Sequence, residues 1–143
     1  MTQERILLVD DEVEFRERLA KKLEKHGYKV TAVGGGAEAI EKVKEKSFDV
    51  IFLDMVMPGM DGMETLSEIK KINEDLQVIL LTGFASIEKG VEAVKLGALD
   101  FLEKPASMGE LEKKIEEAAM KRIALVEKHS EDKIVDILKS KSW

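Results

Sequence analysis

The chain contains no cysteine. That excludes disulfides, zinc–cysteine sites and thiol nucleophiles, and it suits a reducing compartment. Positive charge is not in excess either. Lysine and arginine number 23 against 29 aspartates and glutamates, a formal net charge of −6. A basic footprint for nucleic acid is therefore absent. No apolar run approaches the roughly 18 residues of a membrane span. The stretch Ile6-Leu7-Leu8-Val9 stops at two aspartates and is too short for a signal peptide, so the expected compartment is the cytoplasm. There is no internal repeat and no Pro/Gly/Ser-rich linker. Gly34-Gly35-Gly36 lacks the Gly-Lys-Ser/Thr of a P-loop and reads as a turn.

What is present is one domain's worth of chain, 143 residues against a usual domain of roughly 100–200. A hydrophobic fraction of 44% beside 36% charged residues reads as soluble and globular. Short apolar runs occur at Ile6–Val9, Val50–Leu53 and Val78–Leu81, with a weaker one at Phe101-Leu102 and a fifth candidate at Tyr28–Val33. Continuous rather than alternating runs suit strands of a parallel sheet buried on both faces.

Helical spacing fills the gaps between these runs. It is carried by Phe15, Leu19 and Leu23 before a His26-Gly27 stop, and by Ala37, Ile40 and Val43 before Ser47. It recurs in Met63, Leu66 and Ile69, in Ile87, Val91 and Val94, and in Leu111, Ile115 and Ala118. Ser107 and Glu110 form a capping box ahead of the last helix. Strict alternation with short connections predicts an α/β fold: a doubly wound, five-stranded parallel sheet between two helical layers.

Such sheets bind ligands at the carboxyl ends of their strands. Strand one ends in Asp10-Asp11-Glu12, strand three in Asp54 and strand four in Thr82-Gly83, while Lys104-Pro105 follows strand five. Singly, each has a plain structural account. The acidic triplet suits a helix N-cap, Asp54 and Thr82 suit turns, and Lys104 suits a solvated loop. Together they gather three aspartates, a hydroxyl and a lysine at one edge. Like charges ~4 Å apart repel by up to ~4 kcal/mol at an effective dielectric near 20, which calls for a raised pKa or a bound cation, and a hard divalent ion is the natural answer. Mg²⁺ fits oxygen donors and completes its octahedron with water and phosphate oxygens. A carboxylate nucleophile, a metal, a lysine and a hydroxyl donor make a site for phosphoryl transfer.

Val9-Asp10-Asp11-Glu12, Asp54-Met55-Val56-Met57-Pro58-Gly59, Leu81-Thr82-Gly83 and Asp100-Phe101-Leu102-Glu103-Lys104-Pro105 stand in order and at matching spacing. With these motifs the chain resembles the receiver domain of two-component response regulators, from about Glu4 to Arg122. The resemblance implies a flavodoxin-like (CheY-like) three-layer sandwich. It implies that Asp54 accepts a phosphoryl group from a phosphohistidine of a sensor histidine kinase or a histidine phosphotransfer protein. Asp11 would bind Mg²⁺ directly and Asp10 more through water. Asp54 and the backbone carbonyl of Val56 would complete the protein's metal ligands. Lys104 would contact the phosphoryl group and precede Pro105 through a cis bond. Thr82 would swing toward the phosphate, and Phe101 would follow it inward as the switch aromatic. The kinase would dock over helix one and the crevice loops, and output would leave through helix four, strand five and helix five.

This chain departs from the common pattern in having Phe101 for Tyr and Ala106 for Phe after Lys104-Pro105, which thins the packing there. Val56 and Phe84, two residues past the acceptor and the threonine, are apolar and are expected to shield an acyl phosphate from water.

Other functions fit less well. An aspartate-nucleophile phosphatase would carry a second Asp where Val56 stands. A flavin binder would have a phosphate-cradling loop where Asp10-Asp11 would repel phosphate. A receiver working without phosphorylation would have a broken site. His26, at the end of helix one, and the distant His129 make poor metal ligands. Met55, Met57, Met60 and Met63 read as core filling.

Ile123, Val126, Ile134, Ile137 and Leu138 keep a helical period beyond the receiver. We therefore divide the chain into a receiver over 1–122 and a helical extension over 123–143. Ser130-Glu131-Asp132 would cap a separate short helix folded back on the domain. A homodimer contact, through this extension or through helix four, strand five and helix five, and a linker helix to an effector domain are the other readings of the extension.

Overall fold

The structure is a computed structural model and describes residues 3–83 and 87–140. Strands and helices alternate: β1 (Arg5–Val9), α1 (Val13–Lys25), β2 (Lys29–Val33), α2 (Gly36–Glu45), β3 (Val50–Asp54), α3 (Gly62–Ile72), β4 (Val78–Thr82), α4 (Ile87–Lys95), β5 (Asp100–Glu103) and α5 (Met108–Ser140). The strands form one parallel sheet in the order β2-β1-β3-β4-β5. The expected doubly wound α/β sandwich is the observed one.

Successive strand residues point to opposite faces. Ile6 and Leu8 of β1 join Leu19 and Leu23 of α1 and Leu111 and Ile115 of α5 in one core. Leu7 and Val9 join Ala39 and Val43 of α2, Leu66 and Ile69 of α3 and Ala93 of α4 in the other. Both faces being covered explains why the central strands read as unbroken apolar runs. Each fully buried Leu or Ile contributes roughly 1.5–3 kcal/mol. The strands β2 and β5 lie at the edges and are less completely buried, which explains their weaker sequence signal. Met55 and Met57 are buried in the core, as expected.

The capping box starts α5. Glu110 N donates to Ser107 Oγ at 3.1 Å, and Ser107 N donates to Glu110 Oε1 at 3.4 Å. The far end differs from expectation. α5 is one continuous helix of 33 residues, so Ser130 caps no separate helix and nothing folds back before Ser140. Its buried residues are Leu111, Ile115 and Ala118. Beyond them Ile123, Val126, Ile134, Ile137 and Leu138 are exposed. Two polar ties hold the middle of the helix: Arg122 Nη1 donates to Phe48 O at 2.9 Å and pairs with Asp49, and His129 Nε2 lies 2.8 Å from Asp75 Oδ2. Among the described residues no helix is long and apolar enough to cross a membrane.

Candidate functional site

The residues singled out above meet at the carboxyl edge of the sheet. β1, β3 and β4 run side by side and end together, so Asp10, Asp54 and Thr82 reach the same crevice, and all three are buried. Lys104 N donates to Thr82 O at 2.7 Å, which docks the end of β5 onto the end of β4. The Lys104-Pro105 peptide is cis, as the resemblance implied.

Lys104 reaches across the crevice. Its Nζ lies 2.6 Å from Asp10 Oδ2, 3.5 Å from Asp54 Oδ2 and 3.7 Å from Glu12 Oε1. The ammonium also sits 4.5 Å from the centroid of the Phe15 ring, close enough for a cation–π attraction. Backbone donors hold the carboxylates. Glu12 N donates to Asp10 Oδ1 at 2.9 Å, and Val56 N to Asp54 Oδ1 at 3.3 Å. Arg16 Nη1 donates to the Asp10 carbonyl at 2.8 Å. Glu12 is the residue before α1, but its side chain makes no cap hydrogen bond. The plain N-cap account of this acidic triplet therefore does not hold.

α3 starts tight against the acceptor strand. A Cβ on Gly62 would stand 2.5 Å from Asp54 O and 2.6 Å from Met55 Cα, closer than nonbonded atoms pack. Only glycine permits that approach, and Asp61 caps the helix beside it, its Oδ1 accepting from Glu64 N at 2.9 Å.

The electrostatics are unbalanced. Three carboxylates, those of Asp10, Glu12 and Asp54, gather about one ammonium. Burial pushes the Asp54 carboxyl up to about 6; Lys104 and the Val56 N–H pull the other way, while Asp10 and Asp11 add to the rise. Burial works against the charge of Lys104, yet its contacts with Asp10, Asp54 and Glu12 hold its pKa above the ordinary lysine range. Asp10 Oδ2 is buried and, among the described residues, makes no well-angled hydrogen bond; the ion pair with Lys104 offsets its charge.

Carboxylate oxygens of Asp10, Glu12 and Asp54 lie within 4.8 Å of one another. Hard oxygen donors around an under-compensated buried carboxylate fit a divalent cation such as Mg²⁺. This geometric group contains Glu12, which sequence reasoning gave no role. Asp11 enters through its contact with Asp54.

Phe15 and Arg16 were also missed. Helical spacing marks Phe15 as a core residue of α1, and nothing local shows that its ring lies against Lys104. Phe101 is half-buried, its ring against α4. Val56 is 72% exposed and so covers little of the crevice in this state; Phe84 lies outside the described residues. Beside Ala106, between α1 and the start of α5, lies a cavity of about 410 Å³, floored by Phe15, Leu81 and Leu111 and rimmed by Arg18, Lys22 and Lys25. His26 caps the end of α1 and pairs with Glu112 at 2.7 Å.

A parallel five-stranded sandwich with this acidic crevice and bridging lysine is the architecture of a signalling receiver. The chain belongs to the response regulator receiver domain family, whose model matches residues 6–116, and so to two-component signalling. It is 42% identical over 113 residues to the transcriptional regulatory protein ZraR of Klebsiella oxytoca, a match covering 79% of this chain and 26% of that protein. It is 36% identical over 111 residues to sporulation initiation phosphotransferase F of Bacillus subtilis, covering 78% of this chain and 90% of that protein. The chain thus spans about a quarter of the first relative and nearly all of the second. Among solved structures, the response regulator TrrA of Thermotoga maritima in complex with Mg²⁺ and beryllofluoride matches with 33% identity and a TM-score of 0.74, over 81% of this chain and 99% of that one.

Proposed function

We propose that this chain is a phosphoacceptor switch in which Asp54 receives a phosphoryl group from a phosphohistidine of a sensor histidine kinase or a histidine phosphotransfer protein. The carrying observation is the Lys104 ammonium held between Asp10 and Asp54 at the strand ends. An oxygen of the ionised Asp54 carboxylate attacks phosphorus. The P–N bond breaks, its electron pair returns to the imidazole, and an aspartyl phosphate forms. Lys104 neutralises phosphoryl oxygens as a point charge, and the Thr82 hydroxyl donates to one of them. Asp10, Asp11, Asp54 and the Val56 carbonyl would hold Mg²⁺, with the Glu12 carboxylate close by. The bound ion supplies charge neutralisation for the transferring group. Catalysis here is positioning and electrostatics, and the protein acts on no separate substrate.

The donor docks over α1 and the crevice loops, where the cavity beside Ala106 offers an apolar floor within a basic rim. Output leaves through α4, β5 and α5. The exposed Val91 and Val94 of α4 support a homodimer contact there. We divide the chain into a receiver over 1–122 and a helical extension over 123–143. The exposed apolar residues of that extension support a second copy or a linker to an effector domain in a longer regulator. The absence of a spanning helix among the described residues is compatible with work in the cytoplasm.

The test is intact-mass spectrometry after incubation with acetyl phosphate and Mg²⁺. One phosphoryl adduct is expected, dependent on Mg²⁺ and absent in Asp54→Asn. No adduct on the unaltered chain overturns the reading.

A further inference from the structure

The Phe101 ring lies against the one residue of α4 that has no side chain to meet it. A Cβ added at Gly90 would stand 2.3 Å from Cε1, 2.6 Å from Cδ1 and 2.6 Å from Cζ of that ring. Nonbonded carbons prefer roughly 3.5–4.0 Å. Gly90 sits inside α4, Ile87–Lys95, where glycine is a poorer helix former than alanine. Local propensity therefore argues against glycine at this position, and the ring is what the structure sets against it.

The ring is also well connected. Phe101 N donates to Asp100 Oδ1 at 2.8 Å, and Asp100 Oδ2 pairs with Lys114 of α5 at 2.6 Å. Three residues along the same segment, Lys104 is bonded through its backbone to Thr82 O and through its ammonium to Asp10. One short stretch of chain thus joins the acidic crevice, the ring, α4 and α5.

We propose that Gly90 is the positioning residue of the switch. Its missing Cβ opens a notch in α4 that accepts the Phe101 ring, and that fit sets how far phosphorylation at Asp54 shifts the α4–β5–α5 surface. This rests on the receiver reading above. With the notch filled, the crevice chemistry continues, but the ring loses its inward place and the distant surface no longer follows the site. In linkage terms, filling the notch removes the differential contact through which the two states are told apart.

The test uses four versions of this chain: unaltered, Gly90→Ala, Phe101→Ala and the double variant. Alanine is the better helix former, so Gly90→Ala should raise Tm by a degree or two where Phe101 is already Ala. Where the ring is present it should lower Tm by about 2–8 °C. That reversal of sign separates a ring-specific notch from general helix stability. A rise in both backgrounds overturns the proposal.

The second readout is the amide spectrum on adding Mg²⁺ and beryllofluoride, an acyl-phosphate mimic. In the unaltered chain amides of the crevice and of α4 and β5 should all shift. In Gly90→Ala those of Val56 and Gly83 should shift while those of α4 and β5 stay near their starting positions. Undiminished α4 and β5 shifts in Gly90→Ala overturn the proposal. If the unaltered chain shows no crevice response, the receiver reading fails and takes the switching role with it; the melting cycle still reports whether ring and notch are coupled.

Discussion

The carboxyl edge of the sheet and the outer half of α5 break the usual rule of burial in opposite directions. At the sheet edge, charged groups are inside: Asp10 and Asp54 are buried beside a lysine. On the outer helix, apolar groups are outside: Ile123, Ile134 and Leu138 face solvent. Both arrangements are unfavourable in the isolated chain. On the function proposed above, a cation and a phosphoryl group would complete the crevice, and another protein surface would cover the outer helix. The difference lies in tolerance. A buried carboxylate is held by many partners and suffers when one is removed, whereas an exposed isoleucine has few partners to lose.

The largest effect should follow from Lys104→Met. It leaves Asp10 and Asp54 buried without their counter-charge, and breaking a buried pair in this way costs about 3–5 kcal/mol. Urea unfolding at pH 8 without Mg²⁺ measures it. Adding Mg²⁺ should return part of the loss, since a ligand bound to the folded state stabilises it. Full stability without Mg²⁺ would break the comparison at the crevice end.

Next in size is a contrast within α5. Ile115→Ala, in the core, should destabilise by roughly 2–5 kcal/mol. Ile134→Ala, of similar chemistry on the exposed outer helix, should stay within about 0.5 kcal/mol. Denaturation of both at low protein concentration checks the pair. A large loss in the second would mean that the outer helix is covered after all.

Asp54→Asn should stabilise the protein. The folded carboxyl titrates at about 6 against an ordinary 3.8, so the folded chain holds this proton more tightly than the unfolded one. Stability therefore falls as pH rises between these values, and the full penalty is present above pH ~7. Removing the charge should gain about 1–3 kcal/mol at pH 8 and almost nothing at pH 4, read from urea curves at the two pH values.

Arg122→Ala should have the smallest measurable effect, about 1–2 kcal/mol. The guanidinium is half-buried and bonded to both Phe48 O and Asp49, a charge-assisted contact stronger than a surface pair. Amide hydrogen exchange should show the protection of α5 falling from residue 122 outward while Leu111 and Ile115 keep theirs.

Much of the sheet was legible because its central strands are covered on both sides. β1, β3 and β4 carry unbroken apolar runs for that reason, while β2 and β5 lie at the edges and are faint. The site residues Asp10, Asp54, Thr82 and Lys104 were legible as strand ends, since a parallel sheet brings all its carboxyl ends to one edge. Glu12, Phe15 and Arg16 were not. They belong to the start of α1 by their spacing, and only the packing of that helix sets their distance from Lys104. The folded-back helix expected after Ser130 failed because Ser, Glu and Asp are tolerated within a helix that has other support. Arg122 and His129 supply that support through partners 73 and 54 residues away.

By itself, the sequence determined the alternation of elements, the sandwich and the acidic residues at its edge, because apolar periodicity and strand ends are local properties of the chain. Tertiary structure decided what is not local. It set Lys104 between two buried carboxylates, laid the Phe15 ring beside the ammonium and pressed the Phe101 ring into the space left by Gly90. These depend on distances of a few ångströms between residues far apart in the chain, and such distances exist only once both faces of the sheet are packed.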